Sequence, residues 1–421
     1  MKIKVFPSSL RGSFNVPSSK SLTHRAIIAA TLCDGISKIE NVTFSNDVVE
    51  TLNAIKNLGI NFVLNKSTIK IFGNVDKLKF LAKNPKIIIN CFQSASTLRF
   101  LMVFVAALGI KTTFLCSINL INRIKNCDDN FFYKISKNKI KIIKKLKPGF
   151  FYFKNCKTSQ FITGLLLVMP ILKKDSTIIF HDNLESMSYV NLTISFLKKL
   201  KIKINFSNNI LKIKGNQSYK AFNYCVEGDY SQAAFFGIAG CFNKIILNGL
   251  NLNSKQSDIK ILKILKFCGT RIISNKNFIK IEPGNKKLEK FEFNLKNNPD
   301  LAPVLAVLAS MCDGVSIIKN ISRLANKESN RIISIFNMIK NLGGKIKINK
   351  NCFEIEGVNQ FLGGQIDSFS DHRVVMAATV ACIFSIKPII INHCESVFKS
   401  YPTFFNHFEK LGGKLSVINL D

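Results

Sequence analysis

A single pattern limits the folds open to this 421-residue chain: a helix ending near glycine, a short alternating strand, an Asn/Lys/Ser turn and a second strand recur along it. The unit reads Asn57-Leu-Gly-Ile-Asn-Phe-Val-Leu, turn, Thr68-Ile-Lys-Ile, and returns as Leu200-Lys-Ile-Lys-Ile-Asn-Phe, turn, Ile210-Leu-Lys-Ile-Lys-Gly215. It appears again as Cys268-Gly-Thr-Arg-Ile-Ile with Phe278-Ile-Lys-Ile, as Leu342-Gly-Gly-Lys-Ile-Lys-Ile with Cys352-Phe-Glu-Ile, and lastly as Leu411-Gly-Gly-Lys-Leu-Ser-Val. A worn copy lies at 133–147. Gly269 and Gly343 are 74 residues apart, Gly343 and Gly412 are 69 apart, and Gly59 and Lys201 are 142 apart, two periods of 71. Six units of about 70 residues fill the chain. Glycine after a helix supplies a left-handed cap, and the period-two pattern that follows supplies a hairpin. The spacing therefore predicts an α/β protein of six copies.

Composition narrows the class. Apolar content of 47% excludes a disordered chain. The longest apolar runs, 100–110 and 374–386, are shorter than a membrane span and read as buried helices. The start, Met1-Lys-Ile-Lys-Val-Phe, lacks a signal-peptide layout, and twelve cysteines show no C-x-x-C pair and no zinc spacing. Reduced thiols in a cytoplasmic protein are expected, with no metal. The net charge of +34 comes from lysines interleaved with Ile, Asn and Phe along the whole chain, as an AT-rich coding bias produces. A uniform spread argues against a nucleic-acid face, yet its field draws in small polyanions.

Chemistry gathers at helix starts. Val16-Pro-Ser-Ser-Lys-Ser-Leu-Thr-His-Arg25 precedes an apolar run; Ser18 or Ser19 can cap it, Lys20 sits beside the first turn, and Ser21 and Arg25 share a face. Gln93-Ser-Ala-Ser-Thr-Leu-Arg99 and Lys157-Thr-Ser-Gln-Phe-Ile-Thr-Gly164 each open an apolar helix, and Asp229 and Asp300 read most simply as N-caps. Lys327-Glu-Ser-Asn-Arg331 places two cations on one face. Ser370-Asp-His-Arg373 and Phe398-Lys-Ser-Tyr-Pro402 add more charge at element ends. Several cationic helix N-termini on one periodic scaffold fit a cleft that gathers anionic groups.

In order, PSSKSLTHR, QSASTLR, TSQF, VEGDYSQAAFF, NPDLAP, KESNR, SDHR and KSYP resemble the 5-enolpyruvylshikimate-3-phosphate synthases over nearly the whole chain. The resemblance implies a two-domain inside-out α/β barrel built from six βαβαββ units. One domain takes 1–18 with 228–421 and the other 19–227, with the active site in the cleft between them. It implies transfer of the enolpyruvyl group of phosphoenolpyruvate to the 5-hydroxyl of shikimate 3-phosphate, with release of phosphate. No cofactor is implied, and the partners are those two substrates, with no nucleic acid and no membrane, in a cytoplasmic monomer.

Carried over position by position, Lys20, Ser21, Arg25, Thr158, Ser159, Gln160 and Ser186 would hold shikimate 3-phosphate, joined by Asp300, Arg323 and Lys327. Lys20, Ala95, Arg123, Gln160, Arg331, Arg373 and Lys399 would hold phosphoenolpyruvate. Asp300 matches the carboxylate that takes the hydroxyl proton, Glu328 the acid that acts with Lys20 at the methylene carbon, and Tyr189 and His372 would line the site. Two phosphates and two carboxylates demand a surplus of fixed cations, and among them Asp300 should stay ionised. Ser18, Phe92 and Ala95 stand where the family pattern has glycine, and Ile124 and Asn119 replace a proline and an arginine. Ala95 implies relative insensitivity to glyphosate, a longer occupant of the phosphoenolpyruvate site. Two other readings compete: the enolpyruvyl transferase of the same fold acting on UDP-N-acetylglucosamine, which uses a loop cysteine (Cys116 and Cys127 flank Arg123), and a basic nucleic-acid-binding repeat protein.

Overall fold

The computed structural model describes residues 1–83, 86–125, 132–154, 158–181 and 186–418. The chain divides into two compact units, Met1–Pro17 with Glu227–Asp421, and Ser18–Val226. We call the first the carboxylate unit and the second the hydroxyl unit, after the groups that hold their arginines.

Each unit contains three sheets of one design, a parallel strand pair extended by two antiparallel strands; in one of them Cys33–Glu40 has two short parallel partners, Tyr219–Lys220 and Asn223–Cys225. In the carboxylate unit one sheet runs Glu292–Asn294, Val315–Lys319, Cys352–Glu356, Lys345–Asn349. In the hydroxyl unit the same order runs Ile87–Phe92, Thr112–Cys116, Lys139–Ile142, Tyr133–Ser136, so the worn copy is a true hairpin. Inside each unit lie three helices buried on nearly all sides: Lys20–Thr31, Ala95–Leu108 and Ser159–Val168 in one, Tyr230–Ala239, Ala302–Ser310 and His372–Ala381 in the other. A helix without a polar face must be enclosed. The second helix of each copy is amphipathic; Arg331–Asn341, for example, buries Arg331, Ser334, Ile335, Met338 and Ile339. Helices inside and sheets outside make the inside-out α/β barrel.

The glycine joins behave as their spacing requires. Gly59, Gly269, Gly343 and Gly412 have φ between +74° and +100°, and Lys201 takes the same left-handed place at +61° without glycine. Strands such as Lys139–Ile142 turn Ile140 inward and their lysines outward, which disperses positive charge over the outer sheet faces.

Two features lay beyond the repeat as read. Among the described residues no strand follows the last copy, Lys414–Ile418; its hairpin partner is Lys2–Phe6, antiparallel to it and to Ile389–Asn392. The strands before two inner helices are also exchanged. Gly12–Asn15 precedes the Lys20–Thr31 helix but pairs with Ile245–Asn248. Asn223–Cys225 precedes the Tyr230–Ala239 helix but pairs with Cys33–Glu40.

Candidate active site

In the carboxylate unit the centre is Arg331, first residue of its helix and fully buried. Its Nε donates to Asp371 Oδ2 (2.7 Å), Nη1 to Asp300 Oδ1 (2.9 Å), and Nη2 to Glu328 Oε2 (2.8 Å) and Asp371 Oδ1 (3.2 Å). Arg373 Nη2 donates to the other Asp300 oxygen at 3.0 Å, and Lys327 Nζ lies 3.9 Å from Asp300 Oδ1. Burial works to raise the Asp300 carboxyl, but Arg373, Lys327 and Arg331 outweigh it and hold it well below the usual range. Burial pulls the Lys327 ammonium down to about 7 against the attraction of Asp300. For Arg331 burial is likewise opposed by Asp371, Glu328 and Asp300, and its pKa rises. Asp371 lies below its ordinary value because Arg331 overcomes burial. His372 is buried beside it, Nδ1 at 3.8 Å from Asp371 Oδ1, and Lys399 is buried on the Cys394–Lys399 turn. Arg323 Nη1 donates to the Lys296 carbonyl at 2.6 Å.

The hydroxyl unit holds its cations differently. Buried Arg25 donates to Thr193 Oγ1 (2.9 Å), Thr163 Oγ1 (3.2 Å) and the carbonyls of Ser21 (2.5 Å) and Tyr189 (3.3 Å). Its guanidinium lies 5.6 Å from the Phe100 ring, and burial lowers it to about 10. Arg99 Nη1 donates to Gln160 Oε1 (2.5 Å) and Nη2 to the Arg123 carbonyl (3.1 Å), while Gln160 Nε2 donates to Ser96 Oγ (2.9 Å). These bonds join three helices. The close approach of Ala95–Leu108 to Ser159–Val168 needs Gly164, where a Cβ would come 3.1 Å from the Arg99 carbonyl. Lys20 pairs with Asp47 Oδ2 at 2.5 Å. Thr158 caps its helix through Gln160 N, and Ser159 is buried beside it. Ser186 is buried with φ +61° at the start of Met187–Lys199.

The family model for EPSP synthase (3-phosphoshikimate 1-carboxyvinyltransferase) matches residues 6–408. A 3-phosphoshikimate 1-carboxyvinyltransferase of Clostridium novyi is 38% identical over 98% of this chain and 97% of its own length. The chain belongs to the EPSP synthase family. It is an enzyme of that family. The Clostridioides difficile 3-phosphoshikimate 1-carboxyvinyltransferase is 37% identical over 99% of both chains. In fold the chain resembles an Acinetobacter baumannii EPSP synthase (TM-score 0.79, 20% identity, 99% of this chain and 100% of that one). It also resembles the enolpyruvyl transferase NikO of Streptomyces tendae (TM-score 0.75, 15% identity, 99% and 98%). These relatives favour the shikimate reading over the two competitors. Burial also pushes the Cys116 thiol up to about 12, unlike a reactive loop thiolate; Cys127 lies outside the described residues.

Within the EPSP synthase frame, the structure gathers Asp300, Glu328, Lys327, Arg331 and Arg373 in one cluster. It separately joins Gln160 to the Ala95–Leu108 helix. Two local expectations change. Ser19 is the N-cap residue of Lys20–Thr31 but makes no side-chain cap, and Ser18 instead exchanges hydrogen bonds with Thr43. Asp300 is not a cap: it lies in the Pro299–Leu301 turn and faces the arginines, whereas Asp229 does cap Ser231 and Gln232. Phe92 adopts φ +41°, the left-handed backbone glycine favours, and is exposed.

Residue-by-residue matching passed over Asp371, Arg99, Ser96 and Asp47. The first three stand inside motifs already singled out. Asp47 is a lone acid in the first turn of an amphipathic helix and left no signal.

Proposed function

We propose that this chain transfers the enolpyruvyl group of phosphoenolpyruvate to the 5-hydroxyl of shikimate 3-phosphate, and that both units serve this one reaction. The observation that carries the reading is the Asp300 carboxylate held between Arg331 and Arg373 with Lys327 beside it. Arg331, Arg373, Arg123 and Lys399, with Ala95 beside them, take phosphoenolpyruvate. Ser21, Thr158, Ser159, Ser186, Arg323 and Lys327 take shikimate 3-phosphate. Lys20 and Gln160 reach both, and Tyr189 and His372 line the site. Arg25 acts chiefly as a girder, since its four bonds leave one Nη1 hydrogen for a ligand.

Asp300 accepts the 5-hydroxyl proton as that oxygen bonds to C2, while Glu328 with Lys20 delivers a proton to C3. The tetrahedral intermediate then loses phosphate from C2 and a proton from C3, which restores the vinyl group. A strongly acidic Asp300 is a poor base. The carboxylate of phosphoenolpyruvate, by drawing donors of Arg331 and Arg373 to itself, raises Asp300 toward a useful basicity. The N-terminal end of the Lys20–Thr31 helix carries the positive end of its dipole, which favours an anion.

We read the protein as cytoplasmic and monomeric. The described cysteines named in the structure are free thiols, no helix among the described residues is long and apolar enough to cross a membrane, and one chain carries the whole proposed residue set. Phosphate release from purified protein tests the reaction. Release only with both substrates is expected; release from phosphoenolpyruvate alone overturns it.

A further inference from the structure

Asp258 lies in the short Ser257–Ile259 turn, 42 residues before Asp300, and is buried with no assigned task. Its Oδ2 accepts from Ser231 Oγ at 2.5 Å and its Oδ1 from Asn298 Nδ2 at 2.8 Å. Asn298 is fully buried, and its Oδ1 has no hydrogen-bond partner among the described residues. Asp258 is thus the recorded side-chain anchor of Asn298. The Asn298 carbonyl in turn accepts from Leu301 N at 3.2 Å, closing the turn that carries Asp300.

We propose that Asp258 is a positioning residue for Asp300: it holds Asn298, and through Asn298 the Pro299–Leu301 turn, so that the carboxylate stays aimed at its substrate proton. The inference rests on the reading that Asp300 takes the hydroxyl proton. Alignment of a base matters because displacement of about 1 Å can cost about 100-fold in rate. Ser231 and Asn298 donate to it, as does Ser257 Oγ to Oδ1 at 3.4 Å, so the ionised form fits, and a protonated carboxyl would lose one acceptor.

The charged groups acting on it are Asp300 and Arg373. On the neighbouring Tyr230–Ala239 helix burial keeps Tyr230 protonated and Asp229 caps the first turn, while Lys260 and Lys263 of the following helix are exposed. Burial and then Asp300 push Asp258 up to about 6, against the hydrogen bonds from Ser231 and Asn298 and the charge of Arg373. The grip on Asn298 therefore weakens below about pH 6.

Steady-state phosphate release by the full chain, followed against pH, separates this role from a purely structural one. Wild type is measured first: no turnover with both substrates removes the functional reading itself. Asp258→Ala should lower kcat by about 10- to 100-fold while both KM values stay within about twofold. Asp258→Asn mimics the neutral acid, a carbonyl for Asn298 without the charge, so its kcat at pH 8 should lie about threefold below wild type, at the level wild type reaches below pH 6. It should also flatten the wild-type fall near pH 6. Substrate phosphates titrate in the same range, so the readout is the difference between the two profiles. If Asp258→Ala does not fold, Asn298→Ala carries the same expected loss of kcat. Unchanged kcat in that variant, or an identical acid limb in Asp258→Asn and wild type, overturns the inference and leaves the reaction standing.

Discussion

The two units bury arginine in opposite ways. Arg25 is held by threonine hydroxyls and carbonyls, all neutral, whereas Arg331 is held by three carboxylates. Neutral acceptors satisfy the guanidinium without cancelling its charge, so the hydroxyl unit keeps a positive field for anions. Carboxylates cancel the charge and create coupled acids and bases. The first arrangement suits binding and the second suits proton transfer, on the same three-sheet scaffold.

The largest expected effect is at the proton acceptor. Asp300→Asn should cut kcat by about 10²–10⁴-fold, the usual weight of a general base, with both ligands still bound by calorimetry. Near-normal turnover would move the base elsewhere, with Glu328 next in line.

The contrast itself is tested by deleting each arginine. Arg331→Ala strands Asp300, Glu328 and Asp371 without their shared cation and should cost about 3–5 kcal/mol in denaturant unfolding. It should also weaken phosphoenolpyruvate binding. Arg25→Ala leaves Thr163 and Thr193 hydrogen-bonded to each other and should cost only about 1–3 kcal/mol. Equal losses would erase the distinction between the units.

A smaller effect is expected at Ala95, the buried first residue of its helix. If its methyl crowds the longer inhibitor, Ala95→Gly should tighten glyphosate inhibition by about five- to 150-fold, the equivalent of about 1–3 kcal/mol of overpacking. Inhibition constants within about twofold of each other would show the methyl to be harmless.

The smallest effect concerns acid. Asp300 and Asp371 have folded pKa values below their unfolded ones of about 4, so the stability they add is present above pH 4 and lost as pH falls through the folded values. The neutral partners of Arg25 do not titrate there. Hydrogen exchange should therefore show the Ala302–Ser310 and His372–Ala381 helices losing protection before Ala95–Leu108 and Ser159–Val168. Simultaneous loss would count against a special acid sensitivity of the carboxylate cluster.

Much of the fold was legible because a hairpin and its preceding glycine are local. Strand alternation and the left-handed cap are set within a few residues, and period-two strands beside buried helices leave few other ways to pack. The closing of the sixth copy by Lys2–Phe6 was not legible, since that strand is separated from its partners by almost the whole chain. Site residues divide the same way. Lys327, Arg331 and Arg373 announced themselves as cations at helix starts. Asp300 read as a cap, because a carboxylate before a helix usually is one, and only the folded chain brings two arginines to it.

The sequence by itself determined the repeat, the buried helices, the outward lysines and the motifs that mark the family, all set by short-range backbone and side-chain preferences. Tertiary structure alone decided which groups share a charge. Pairings such as Arg331 with Asp371, Lys20 with Asp47 and Asp258 with Asn298 join residues 27 to 40 positions apart. Their strength comes from burial, where low polarisability makes each partner indispensable, and burial is a property of the whole fold.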